Sequence, residues 1–488
     1  MPAQPDQTAR LYPRSRRRFL CLLTVATGGL IASGCSVRPA PVRQSTPTNV
    51  SIPAPSAVTS GLTSNTPPGP TESPRPEPTV TETPVPRQLS WWTARADAPW
   101  VDTLKQASVA FVAQQPRYKV EVSGGHVDFG KLVESFAAEQ GPDVVEPGDM
   151  IPFAARGLIQ PLDQFLKSSV LRPSDYLTQI WANGLWNGVS HGIPALDHGP
   201  EMGLIWNRTL INGADASQGP PATWDDLYSF GTKLTRRGTD GSLAVLGFDP
   251  LDGVGGDLDT VRVVTGQEWF DPKTHLVTID NPAYESFLGR IVAYYQSMGT
   301  DHLATFRQGA ALLTSAADSA MNLGKEVAIL SGYWSVGELA RLAHDKSWQF
   351  EYGWVPAMPS TTTIQRVGGR VLAIPSVAKN PDGGWASIEY LAGEGTNKLF
   401  FNKIGTCAMT NAFLQSDVWK GQPGIEFFVQ SITQAARLQS RSNNALAGFA
   451  QTKWFQTLTD VLDNNKAVPD ALKAAQMALQ IEAGRLNA

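Results

Sequence analysis

Few residues in this chain stand at a spacing that could carry covalent or metal chemistry. Six histidines include no HExxH and no pair four positions apart, and Cys21, Cys35 and Cys407 form neither a CxxC site nor a disulfide framework. Gly253 to Gly256 is a glycine-rich loop without the Lys-Ser/Thr ending of a phosphate cradle. No acid pair stands in a recognisable catalytic motif, although catalytic carboxylates can lie far apart in sequence. No metal and no cofactor is therefore expected. The fourteen tryptophans, by contrast, exceed what packing usually requires. Planar rings beside polar side chains suit recognition by stacking and hydrogen bonding.

Such recognition needs a frame, and residues 89–488 supply the pattern of one. Gln88 to Trp92, Tyr118 to Val122 and Asp143 to Glu146 read as strands. Between them, Ala98 to Gln115 places Val101, Leu104, Ala107, Ser108, Phe111 and Val112 on one helical face before Pro116 stops it. Asp128 to Gln140 repeats the period through Phe129, Leu132, Val133 and Phe136. The alternation predicts an open α/β sheet, and such sheets bind ligands at the carboxyl ends of their strands. Attention falls on Trp92-Thr93, Gly124-Gly125-His126 and Glu146 to Asp149. Trp91 and Trp92 point to opposite sides of one strand, so one faces the core.

Other conspicuous residues are explained by packing. Thr223 with Asp226 three positions on resembles a capping box, and Trp224 behind it reads as a packing residue. Tyr295 falls with Phe287, Ile291 and Val292 on a helical core face, which makes the Tyr294-Tyr295 pair structural. Pro469 to Ile481, with Leu472, Ala475, Met477, Leu479 and Ile481, reads as a terminal helix packed on its lobe.

The first 88 residues have another purpose. Five arginines between positions 10 and 18 precede the mostly apolar run Phe19 to Ala32, too short for the ~20 residues a spanning helix needs, so 1–34 read as a signal peptide. Ser15-Arg16-Arg17-Arg18-Phe19-Leu20 resembles the twin-arginine export signal, and Ala32-Ser33-Gly34-Cys35 resembles a lipobox that would lipidate Cys35. Residues 36–88 hold 13 Pro, 7 Ser and 9 Thr and no aromatic residue, so they cannot bury a core; 35–88 form a tether. Cleavage before Cys35 would leave 35 basic against 43 acidic residues and a charge of −8, with Cys407 as the only free thiol. With no long basic run beyond the signal, nucleic acid is excluded as a partner.

The order of segments in 89–488 resembles the extracellular solute-binding proteins of ABC importers, specifically the sugar-binding family that includes maltose-binding protein. Phe111 to Val122 resembles its helix-Pro-strand entry, Pro142 to Val145 its PDV strand, and Gly157 to Asp163 its GxLxPLD segment. Gly192-Ile193-Pro194 with Leu204 to Asn207, Pro221 to Leu227, Gly324 to Ala328 with Gly332-Tyr333-Trp334, and Gly368-Gly369 with Ile374-Pro375-Ser376 continue the series.

The resemblance implies a two-lobed α/β fold, each lobe an open, mostly parallel sheet flanked by helices, with the ligand cleft between them. It implies an amino lobe of 89–197 plus 357–391 and a carboxyl lobe of 198–356 plus 392–488. Three crossings would form the hinge. A neutral sugar has hydroxyls on its rim and apolar C–H faces, so the implied ligand-binding residues are Trp92 and Trp334 for stacking and Thr93, Asp149, Asp197, Tyr333 and Arg370 for hydrogen bonds. Asp197 and Glu201 fall in a first crossing about two residues longer than the family pattern. The implied protein is a monomeric, non-enzymatic sugar or oligosaccharide receptor, held to the membrane through Cys35 and delivering to a permease. An exported polysaccharide-degrading enzyme, or the same fold binding a phosphodiester, polyamine or iron chelate, are the alternatives.

Overall fold

Strand β1 (Arg87–Thr93) shows how the alternation of side chains builds the first sheet: Leu89 and Trp91 are sealed in the core at 0% and 1% exposure, while Trp92 stays half-buried on the other face. In the computed structural model, which describes residues 86–126, 129–211, 220–311, 313–358 and 362–486, β1 lies between two parallel neighbours. The expected signal segment, Cys35 and the tether up to residue 85 lie outside the described residues. Helix α1 (Ala98–Gln114) carries the chain to β2 (Tyr118–Ser123), and α2 (Phe129–Ala137) carries it to β3 (Val144–Glu146). Register pairs Trp92 with Val145 and Thr93 with Glu146, so the ends of β1 and β3 stand level.

Strand β4 (Ile193–Pro200) leads through Glu201 and Met202 into β5 (Gly203–Asn207). There follow α3 (Trp224–Leu234), β6 (Leu243–Phe248), α4 (Leu258–Thr265), α5 (Pro282–Met298), β7 (Glu326–Ser331), α6 (Trp334–Leu342) and β8 (Phe350–Gly353). The second sheet has the order β8-β5-β7-β6, with Arg236–Arg237 at its edge. Only β6 and β7 run parallel; β5 opposes both β7 and β8. This sheet is mixed where the resemblance implied a mostly parallel one, because β5 runs against both of its neighbours. Leu204 and Trp206 of β5 face one core and Ile205 faces another, so both sides of the sheet are covered.

A third sheet joins β9 (Ile364–Leu372) to β4 on one side and to β10 (Arg437–Ser440) on the other. The β4–β9 ladder slips between Gly369 and Val371. Gly369 has φ 140°, and a Cβ there would stand 2.1 Å from the Asp197 carbonyl oxygen, so only glycine fits. Leu196, on the facing strand, has φ 65°. This irregular crossing brings Asp197 and Arg370 to the same place.

Two packing results depart from expectation. Helix α7 (Glu394–Ile404), expected above to pack with 198–356, packs on α1, with Phe400 edge-on to Trp100 at 5.0 Å, and α8 (Pro423–Gln434) shares that core through Phe428. Helices α9 (Ala447–Leu462) and α10 (Val468–Leu486) pack instead with α5, through Trp454, Leu472 and Leu479. On α10 the expected apolar face is narrower than the sequence implied: Met477 and Ile481 are 61% and 60% exposed. The capping box of Thr223 and Asp226 forms, Trp224 is buried, and Tyr294 and Tyr295 are core residues.

Candidate functional site

A cleft of about 550 Å³ is lined from both large sheets and from the crossing strands, a size ordinary for small-molecule sites. Four of the seven expected ligand-binding residues line it: Asp149, Asp197, Trp334 and Arg370. Trp334 opens α6 and stays half-buried; its ring lies over Gly332, where a Cβ would come within 2.1 Å of the indole. The close approach at this glycine sets the ring's orientation.

Thr93 and Tyr333, also expected to touch ligand, are fully buried and fix the residues that line the cleft. Thr93 Oγ1 donates to Glu146 Oε2 and accepts from Trp100 Nε1 at 3.1 Å. The Tyr333 hydroxyl lies 2.6 Å from Asp197 Oδ1 and 2.7 Å from the Cys407 carbonyl oxygen, and burial holds its phenol well above the ordinary range. Trp92 stands behind the cleft wall. Its ring stacks on His126 at 4.1 Å, and His126, itself in the lining, is held by Ser123 Oγ at 2.8 Å from Nε2. Trp91 is the core member of the pair.

Charge in the cleft is organised by arginines. Arg370 Nη1 donates to the buried Glu146 Oε1 at 2.8 Å. Burial raises the Glu146 carboxyl above its usual range against the pull of Arg370. Arg95 donates from Nε to Asp97 at 2.7 Å and lies 3.6 Å from Asp197 Oδ2 and 3.8 Å from Glu338 Oε1. Glu338 also accepts from Thr314 Oγ1 at 2.6 Å, and desolvation pushes its carboxyl up to about 7. Glu201 is clamped between Arg366 and Arg441 at 2.7–2.8 Å. Asp149 faces the cleft with Oδ1 accepting from the Ile151 amide at 3.1 Å, and desolvation raises its carboxyl too. In all, seven carboxylates and four arginines line the cleft.

Arg95, Glu338, Arg366 and Arg441 were not anticipated. The one sequence signal for Arg366 is a charge between Gln365 and Val367 in a strand, which demands a partner once buried; Glu201, 165 positions away, provides it. Among the described residues no group of three or more His, Cys, Asp or Glu is arranged to hold a metal, and no helix is long and apolar enough to cross a membrane.

The chain belongs to the bacterial extracellular solute-binding protein family, whose profile matches residues 93–398. That family is exported to the periplasm or the cell surface. The two-lobed fold recurs in solved structures of low sequence identity. CpMnBP1 with mannobiose bound is 20% identical, with a TM-score of 0.71 over 80% of this chain and 99% of that one. A solute-binding protein of Thermotoga lettingae bound with alpha-D-tagatose is 17% identical, with a TM-score of 0.68 over 81% and 100%. The maltose/maltodextrin-binding domain MalE of Bdellovibrio bacteriovorus bound to maltotriose is 16% identical, with a TM-score of 0.63 over 81% and 99%. No curated protein sequence matches the chain.

Proposed function

We propose that this protein captures a mono- or oligosaccharide between its two lobes and presents it, unchanged, to the membrane permease of an ABC importer. The observation that carries this reading is the cleft itself, where Trp334 stands beside carboxylates and arginines already fixed by buried partners. Such a wall stacks on a sugar's C–H face and hydrogen-bonds its rim with little reorganisation. The sugars held by the similar structures support the same class of ligand.

The lobes in this reading follow the sheets. The amino lobe contains β1–β3 and α7; the carboxyl lobe contains β5–β8, α3–α5 and α8–α10; β4, β9 and β10 form the hinge. Closure about that sheet is the step a permease reads. The protein acts as a monomer. Cys35, in its lipobox-like setting, carries the anchor after export by the twin-arginine route, and the proline-rich tether lifts the lobes from the membrane.

A thermal-shift screen tests the function. At a dissociation constant of about 1 μM, sugar at 100 times that concentration adds about 2.7 kcal/mol of stability. One observation favours a second reading: seven carboxylates against four arginines would suit a cationic solute. A shift with a polyamine and none with any sugar decides for that reading.

A further inference from the structure

Around the first turn of α4, two buried N–H donors have no acceptor among the described residues. Leu258 donates its backbone N–H to Gln451 Oε1 at 3.0 Å. The first amides of a helix need acceptors, so this bond fixes the amide oxygen of Gln451 and leaves its NH₂ on the other side. Gln451 Nε2 meets no acceptor there, and neither does Arg366 Nη2. Arg366 is 0% exposed. Its Nε donates to Glu201 Oε2 at 2.8 Å and its Nη1 to Thr260 Oγ1 at 3.2 Å. Nη2 then lies 3.6 Å from Asp257 Oδ2, an ion-pair separation beyond hydrogen-bond reach. Asp257 itself makes no capping bond to the helix it precedes. Arg366, Gln451 and Asp257 all line the cleft. Buried donors are nearly always paired, so two orphans beside a carboxylate that makes no capping bond call for an outside partner.

We propose that Arg366, Gln451 and Asp257 form a subsite for a pair of ligand hydroxyls, the two N–H groups donating to the hydroxyl oxygens and Asp257 accepting from the hydroxyl protons. The subsite rests on the saccharide reading and specifies where the carboxyl lobe grips the sugar. A hydroxyl both accepts and donates, which is what this mixed set requires. An anionic group would meet Asp257, Asp259 and Glu201, and an ammonium group would meet Arg366 and Arg441. Each would meet like charge as well as opposite charge.

Two substitutions isolate the subsite. Gln451→Glu keeps the acceptor for Leu258 and exchanges only the NH₂ for an oxygen. Asp257→Asn alters the acceptor without removing a cap. The probes are mannobiose and maltotriose, used on wild type and variants. Each variant is expected to bind the sugar that wild type binds at least about tenfold more weakly, with a ligand-free Tm within about 2 °C of wild type. The double variant is expected to lose less than the product of the two single losses, since both residues act on one hydroxyl pair. Affinity unchanged in both single variants overturns the subsite and leaves the saccharide reading standing. A weaker affinity accompanied by a large fall in ligand-free Tm for both variants assigns the residues to folding alone and also overturns it. Wild type that binds neither sugar contradicts the saccharide reading, and the subsite falls with it.

Discussion

Arg370 and Glu146, 224 positions apart, meet at 2.8 Å where the end of β3 faces the irregular crossing of β4 and β9. Glu146 is 2% exposed and has Thr93 as its other partner, so the pair ties the end of β3 to β9. Removing one partner of such a pair leaves a buried charge.

Arg370→Gln is therefore expected to destabilise the protein by about 1–3 kcal/mol at pH 7, measured by urea unfolding. Burial already raises the Glu146 carboxyl. In the variant it takes up a proton more readily, so the deficit is expected to shrink as the pH falls toward the ordinary carboxylate range. A deficit equal at pH 7 and pH 4.5 would contradict the assignment.

Tyr333→Phe separates a supporting residue from a binding one. The change strips a partner from Asp197 and from the Cys407 carbonyl, both buried, at a cost of about 1–2 kcal/mol. Ligand affinity is expected to change less than about threefold, corresponding to less than about 0.7 kcal/mol. A stable variant with a large affinity loss would return Tyr333 to the ligand.

The carboxyl of Glu338, raised to about 7, leads to a pH test. Its folded-state value lies above the unfolded one, so its contribution is fully present below about pH 4.5 and is lost as the pH rises through 7. His198, buried and lowered to about 4, works in the opposite sense, losing stability as the pH falls below its ordinary 6.5. Comparing Glu338→Gln with wild type isolates the first effect. The stability difference between the two is expected to change by on the order of 2–3 kcal/mol between pH 5 and pH 8, the variant gaining relative to wild type as the pH rises. Parallel pH profiles would remove Glu338 from this role.

Trp334→Ala addresses the stacking surface. Half-buried and packed against both large cores, the ring contributes to stability, and its loss is expected to cost about 1–2 kcal/mol without ligand. Sugar affinity is expected to fall by a further ~2 kcal/mol or more, the scale of a binding hot spot. Intact affinity would place the ring in the core alone.

What was legible in the sequence follows from the range of the forces involved. Period-two and period-3.6 patterns are local, so β1, α1, β2 and β3 and the separation of Trp91 from Trp92 could be read directly. The segment order pointed to the family and the cleft, and Asp149, Asp197, Trp334 and Arg370 reached its wall. Partnership at long range was not legible. Nothing near Thr93 announces that Glu146 occupies its hydroxyl, and nothing near Arg366 announces Glu201. The placement of α7 on α1 rests on Phe400 meeting Trp100 across 300 positions, which no local pattern encodes.

Titration calorimetry of the purified protein with mannobiose, maltotriose and tagatose, followed by recovery of the sugar, tests the central claim most directly. The account predicts saturable one-to-one binding of at least one of them at about micromolar affinity, with the sugar recovered intact. No heat with any of the three while a polyamine or phosphodiester binds, or accumulation of cleaved sugar, would contradict it.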